Sequence, residues 1–203
     1  MTRSGFPPGI PSMEYAMIVL RNQIVAHVRA YDILKAVTGK PVGVIINFTW
    51  FEPFREESES DRQVAYLYNY AFIDAVTARS SPIVSSESLK RRLDWIGVNY
   101  YTRMVIAFSA SGWKPVPGYG NLCTPNGVSR AWRLCNVFGW ELYPEGLEKV
   151  LVSVYERYHL SIIVTENGVA DAVDSLRPRF IVRRLEAVLK AIGRGADVRR
   201  YLH

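Results

Sequence analysis

Apolar and polar positions along this chain follow two alternating rhythms. From Met13 to Val37 the spacing of Ile24, Val28, Tyr31 and Leu34 is helical, with Pro11-Ser12 as a start signal and Gly39-Lys40-Pro41 as a stop. Pro41 to Phe48 is then a short, continuous apolar run, the pattern of a strand buried on both faces. An Ala-, Tyr- and Leu-rich helix is predicted over roughly Asp61 to Thr77, and a second buried strand over Leu93 to Tyr101. Residues from about 103 to 137 mix Gly, Pro, Ser, Asn and Trp without clear period, so they read as one long loop, a feature often functional. A helix opens at Tyr143-Pro144-Glu145 and runs to about Tyr158, with Pro144 and Glu145 suited to its first turn. Ser161 to Glu166 is a third strand, Arg179 to Ile192 a helix closed by Gly193 and Gly195, and Asp197 to His203 the beginning of a fourth strand.

Strands separated by helices of this length imply βαβ units and a parallel sheet. No internal repeat, low-complexity tract or linker divides the 203 residues, so one domain is expected. Composition adds little: 49% hydrophobic and 22% charged is ordinary for a globular chain. A complete eight-stranded α/β barrel usually needs about 250 residues, so a barrel here would be incomplete. The formal charge of +6 raises nucleic-acid binding, but the basic residues are scattered and the clusters Lys90-Arg91-Arg92 and Arg199-Arg200 are short. Ion pairs or a subunit contact explain them as well, and no nucleic-acid partner is expected. The longest apolar stretch, Ala16 to Leu20, is far short of a membrane span, and no leader-like segment is seen. A soluble, cytoplasmic protein is therefore expected.

Cys123 and Cys135 fall in the loop-like segment and, in a reduced cytoplasm, read as two free thiols, with a disulfide as the alternative. With three histidines and no paired ligand spacing, neither a metal site nor a cofactor is predicted.

Reacting groups in α/β barrels sit at the carboxyl ends of the strands. The predicted ends are Asn47-Phe48, Asn99 to Tyr101, and Glu166. Glu166 closes a β-branched run, Ile162-Ile163-Val164-Thr165, and precedes the turn pair Asn167-Gly168. A carboxylate at the exit of a buried strand is costly unless paired or used, so a helix cap and a structural ion pair stand beside a catalytic role. Strand alternation sends Asn99 and Tyr101 one way and Tyr100 the other, into the helical shell. Trp140 is either a face for stacking a sugar ring or an anchor for the loop.

These residues lie in segments that resemble family 1 glycoside hydrolases. Val164-Thr165-Glu166-Asn167-Gly168 is similar to the family's nucleophile motif. Asp94-Trp95-Ile96-Gly97-Val98-Asn99-Tyr100-Tyr101-Thr102 is similar to its sixth-strand motif, and Phe138-Gly139-Trp140-Glu141-Leu142-Tyr143-Pro144-Glu145-Gly146-Leu147 to the next signature. Ala26-His27-Val28-Arg29-Ala30-Tyr31-Asp32 and Gly195-Ala196-Asp197-Val198-Arg199 fit too, in family order, with a flavour closest to archaeal thermophilic β-galactosidases and β-glucosidases. The resemblance implies an α/β fold, a partial (β/α)8 TIM barrel with strands five to seven and the start of strand eight. It implies retaining hydrolysis of β-glycosides, with Glu166 as nucleophile, Tyr101 orienting it and Asn99 framing the sugar subsite. Trp140 and Asn47 would bind substrate on the leaving-group side. A second carboxylic acid, about 5–5.5 Å away, would serve as acid and base.

That second group is missing: there is no Asn-Glu-Pro, and Phe51-Glu52-Pro53 follows strand five. Arg184 stands where the family usually carries His, and Arg200 where Gly is common. Little activity is expected of the chain alone. Two readings follow, a glycosidase piece that works with a complementing amino-terminal barrel fragment, or a non-catalytic remnant or interaction module. A homo-oligomer is compatible with the resemblance.

Overall fold

The computed structural model describes residues 10, 12–77, 91–110 and 112–203. The order is α1 (Met13–Thr38), β1 (Gly43–Pro53), α2 (Glu59–Val76), β2 (Trp95–Ser109), β3 (Gly112–Pro115), a 3₁₀ turn (Gly120–Leu122), α3 (Pro144–Tyr158), β4 (Ser161–Glu166), α4 (Arg177–Gly193) and β5 (Val198–Tyr201). The strands pair in the order β1-β2-β4-β5, with β3 on β2. The β2–β4 and β4–β5 pairs are parallel and β2–β3 is antiparallel. The alternation of strands and helices was therefore legible, and so was the parallel sheet.

Two strands are longer than their sequence pattern suggests. β1 continues past Phe48 to Pro53, which puts Asn47 at mid-strand rather than at its end. β2 continues to Ser109, so the first part of the expected 103–137 loop is strand. The reason is visible in the residues: Thr102 to Phe108 is still rich in β-branched and apolar side chains, and the Gly- and Pro-dense stretch starts only afterwards. The rest of that loop is tied down by backbone hydrogen bonds and by the isolated bridges Val128↔Leu134 and Cys135↔Glu141.

The chain divides into two compact units. The described residues up to Val44 group with those from Tyr70 to Asp94, and Ile45–Asn69 groups with Trp95–His203. In the first, Ser12 caps α1 by accepting from the Tyr15 amide at 3.3 Å, and Gly39 ends it at φ 63. Asp94 organises this unit, accepting from Tyr31 Oη at 2.9 Å, Lys35 Nζ at 3.0 Å and the Val42 amide at 2.8 Å.

In the second unit the core lies between sheet and helices. Ile96, Val98 and Tyr100 of β2 and Ile162 and Val164 of β4 are buried, as are Leu147, Val150, Leu151, Val154, Ala187 and Ala191 of α3 and α4. Gly97 is required by close packing: a Cβ there would stand 2.7 Å from Ile45 Cγ1 and 3.1 Å from its Cα. A methyl group on Gly146 would overlap the Tyr100 hydroxyl, which donates to the Tyr143 carbonyl at 3.1 Å.

Asp61 joins α2 to the strands. Its side chain is fully buried. It accepts from Arg55 Nε at 3.0 Å, Arg55 Nη2 at 2.9 Å and the Phe108 amide at 2.7 Å. The Arg55 hydrogen bonds bring its carboxyl down to about 2, against 3.8 for an ordinary aspartate. A depressed carboxyl contributes stability above the unfolded value and loses it as pH falls through the folded value. Asp61→Asn is expected to destabilise the fold by about 2–3 kcal/mol, because buried charge-assisted hydrogen bonds are lost. Acid titration by circular dichroism should show the unsubstituted chain losing stability between about pH 4 and pH 2, with a shallower loss in Asp61→Asn.

Candidate active site

Glu166 is the last residue of β4, and its position depends on an irregularity in the sheet. Trp95 to Val98 pair in step with Ser161 to Val164, but the register then shifts and Asn99 pairs with Glu166. Thr165 is the extra residue of this bulge. In a regular strand Glu166 would share a face with Ile162 and Val164, which are fully buried under the helices. The bulge turns it to the face of Asn99 and Tyr101 instead. Thr165 stabilises the kink by donating its hydroxyl to Asn99 Oδ1 at 2.6 Å.

On that face the Tyr101 hydroxyl donates to Glu166 Oε2, which is exposed. The expected alternation holds: Tyr100 has no exposure and packs into the helical shell, whereas Tyr101 is half-buried. Burial, together with the hydrogen bond to Glu166 and its charge, pushes the Tyr101 phenol up to about 12. The Trp140 ring lies 6.0 Å from that of Tyr101 and 5.6 Å from Phe138.

Trp140 is anchored on both sides. Buried Asn136 accepts with Oδ1 from the Phe138 amide at 2.9 Å and the Trp140 amide at 3.0 Å. Gly139, at φ 74, passes so close to the Cys123 carbonyl that no side chain fits. Beyond the indole, buried Glu141 accepts from Arg103 Nε at 2.6 Å and Nη2 at 3.2 Å, and its carbonyl accepts from Thr102 Oγ1 at 3.0 Å. The strand that presents Tyr101 thus holds the loop that presents Trp140.

Four of the five sequence-predicted residues are brought together: Glu166 at the end of β4, Asn99 and Tyr101 within the long strand β2, and Trp140 on the loop beside them. Asn47 is not: it is exposed at mid-strand in β1. Sequence reasoning missed Thr165 as a partner of Asn99. It also treated Asn167 only as a turn residue, whereas Asn167 Nδ2 donates to the Tyr100 carbonyl and its Oδ1 accepts from Tyr201 Oη at 3.0 Å. Arg184 was noted only as a departure. It is buried and donates to the carbonyls of Tyr143 at 2.7 Å and Tyr101 at 2.9 Å. A charged residue on the apolar side of a helix was the available signal. Among the described residues no cluster could hold a metal ion, and no helix is long and apolar enough to cross a membrane.

A parallel α/β sheet with an acid at the carboxyl end of one strand, facing a phenol of the next strand and an indole of the loop beyond, has the architecture of α/β-barrel enzymes. Residues 1–203 match glycosyl hydrolase family 1, and the chain belongs to that family. It is 44% identical over 206 residues to the β-galactosidase of Saccharolobus solfataricus, covering 99% of this chain and 42% of that protein. The crystal structure of the β-glycosidase from Thermosphaera aggregans superimposes with a TM-score of 0.90 at 46% identity, over 98% of this chain and 42% of that one. A hyperthermophilic β-glucosidase mutant that forms a dodecameric structure in the crystal gives 0.87 at 42% identity, again over 98% and 42%. The chain therefore spans about 42% of these relatives' length, and its fold is a partial barrel of a family 1 glycosidase.

The geometry makes the Tyr101 phenol a reporter of Glu166. In alkaline titration, the absorbance lost on Tyr101→Phe should have a midpoint near 12. Glu166→Gln removes the negative charge, so the same signal should move down toward the ordinary phenol range. An unchanged midpoint would break the link between the two residues.

Proposed function

We propose that this chain supplies the nucleophile of a retaining β-glycosidase that works on β-glucosides or β-galactosides by double displacement. The observation that carries this reading is the Tyr101–Glu166 hydrogen bond on the open face, beside the half-buried Trp140 ring. Because the phenol keeps its proton up to about 12, Tyr101 donates to Glu166 throughout the neutral range. One carboxylate oxygen is held by the phenol, and the other attacks the anomeric carbon. The bond to the leaving oxygen breaks as a carboxylic acid from outside these 203 residues protonates it. That same group, now a base, takes a proton from water, which displaces Glu166 and releases the sugar with its configuration retained.

Asn99, with Oδ1 already accepting from Thr165, offers its amide N–H groups to a sugar hydroxyl. The Trp140 ring stacks against the apolar face of the leaving-group sugar. The pairing order leaves β1 and β5 at its two ends. Open strand edges seek partners, so we assign them to a complementing barrel fragment. The dodecameric relative makes a homo-oligomer a reasonable further assembly.

Combined with the amino-terminal portion of a family relative, the chain should react with a 2-deoxy-2-fluoro aryl β-glycoside. A covalent adduct on Glu166 should then be found by peptide mass spectrometry. Label on any other residue would overturn the assignment. Tyr101→Phe should lower turnover at least tenfold while Tyr100→Phe acts mainly on stability, since general positioning effects of this kind span about 10–10². The chain by itself should give no sustained hydrolysis of an unactivated disaccharide, because the proton donor contributes roughly 10²–10⁴-fold.

A further inference from the structure

Cys123 and Cys135 belong to the same knot of backbone. Cys135 is bridged antiparallel to Glu141, and the Glu141 amide donates to the Gly120 carbonyl at 2.9 Å. The Cys123 thiol meets that same carbonyl at 3.5 Å. The carbonyl of Gly120 thus joins one cysteine directly and the other through Glu141. Each thiol donates to a backbone carbonyl of this knot, Cys123 to Gly118 at 3.9 Å and Cys135 to Arg133 at 3.7 Å, with Cys123 half-buried and Cys135 buried. The segment between them is already folded back on itself, since the Cys135 amide donates to Gly127 at 2.9 Å and the Ser129 amide to Arg133 at 2.8 Å.

We propose that Cys123 and Cys135 are a site of reversible oxidation that closes to an intrachain disulfide, with a small-molecule disulfide as oxidant. The Cys123 thiol, the more accessible of the two, loses its proton to solvent and attacks the oxidant. A mixed disulfide forms and one small thiolate leaves. The Cys135 thiolate then attacks Cys123 Sγ, forming the protein disulfide and expelling the second small thiolate. Two protein thiols are oxidised and one oxidant disulfide is reduced to two thiols, so atoms and electrons balance. Burial holds both thiols above their ordinary range, so the exchange speeds up as pH rises. The Cys123 amide donates to the Gly139 carbonyl at 3.0 Å, so the closed ring would tighten the base on which Trp140 stands.

The test equilibrates the folded chain with an excess of oxidised glutathione and reads it by intact mass, thiol counting after denaturation, and non-reducing electrophoresis. The expected product is lighter by two hydrogens, has no titratable thiol and carries no glutathione. After a tryptic cut at Arg130 or Arg133, inside the ring, its two pieces should stay together until a reductant is added. Cys135→Ser should instead stop at one glutathione on Cys123. Persistent glutathione on either cysteine of the unsubstituted chain, disulfide-linked dimers, or two thiols left free would each overturn the proposal. So would oxidation seen only when the chain is first unfolded in denaturant.

Discussion

One displaced residue in the sheet decides what this chain can do. Between Val98/Val164 and Asn99/Glu166 the β2–β4 register slips, and the parity of side chains along β4 inverts with it. Up to Val164, even-numbered residues of β4 enter the helical core. After Thr165, Glu166 leaves it. Without the slip a carboxylate would be driven among Ile162, Val164 and Tyr100, all without exposure, at a cost that burial of an unpaired charge makes prohibitive. With it, the acid faces the phenol of Tyr101. The Thr165 hydroxyl repairs the local break by binding Asn99, and the Asn167 side chain donates to the Tyr100 carbonyl just beyond. The bulge is therefore held from both sides, as a designed feature should be.

Charge buried behind this face keeps it in place. Arg103 lies between Glu52 and Glu141, with hydrogen bonds of 2.6 Å to each. Burial works against its charge, but the two carboxylates outweigh burial and keep it protonated. Arg184 is solvated differently. Its guanidinium binds two backbone carbonyls and stacks on the rings of Phe180 at 4.7 Å and Tyr100 at 5.0 Å, while its Nε finds no partner. Carbonyl dipoles and ring faces replace part of the lost hydration. An arginine here reaches the Tyr101 and Tyr143 carbonyls together, tying α4 to β2 and to the start of α3.

What the sequence made legible follows from the same physics. The span of β4 was readable because a β-branched run ends abruptly at Asn-Gly. The opposed directions of Tyr100 and Tyr101 were readable because β2 keeps strict alternation there. The face of Glu166 was not readable from alternation, since a bulge has no sequence period; the motif resemblance singled out the acid, and the register shift accounts for the face it occupies. Strand lengths failed for a related reason. Glu52 near the end of β1, and Arg103 just before the apolar continuation of β2, are charged side chains that look like strand ends. Their charges cancel across the sheet, a pairing at a separation of 51 residues that no local window contains.

That pairing also bears on where the missing proton comes from. Glu52 is the carboxyl group at the end of β1 and the obvious substitute within the chain. A general acid needs a carboxyl raised toward neutrality. Burial does act to raise Glu52, but hydrogen bonds from Lys149 Nζ, from Tyr143 Oη at 2.7 Å and from Arg103 outweigh it, and the group is held below the ordinary range. It is an anion fixed by donors, with no proton to give near pH 7. Its work is to hold Arg103, and through Arg103 the loop of Trp140. On the proposed reading, in which Glu166 is the nucleophile, Glu52 is therefore not the group that supplies the proton.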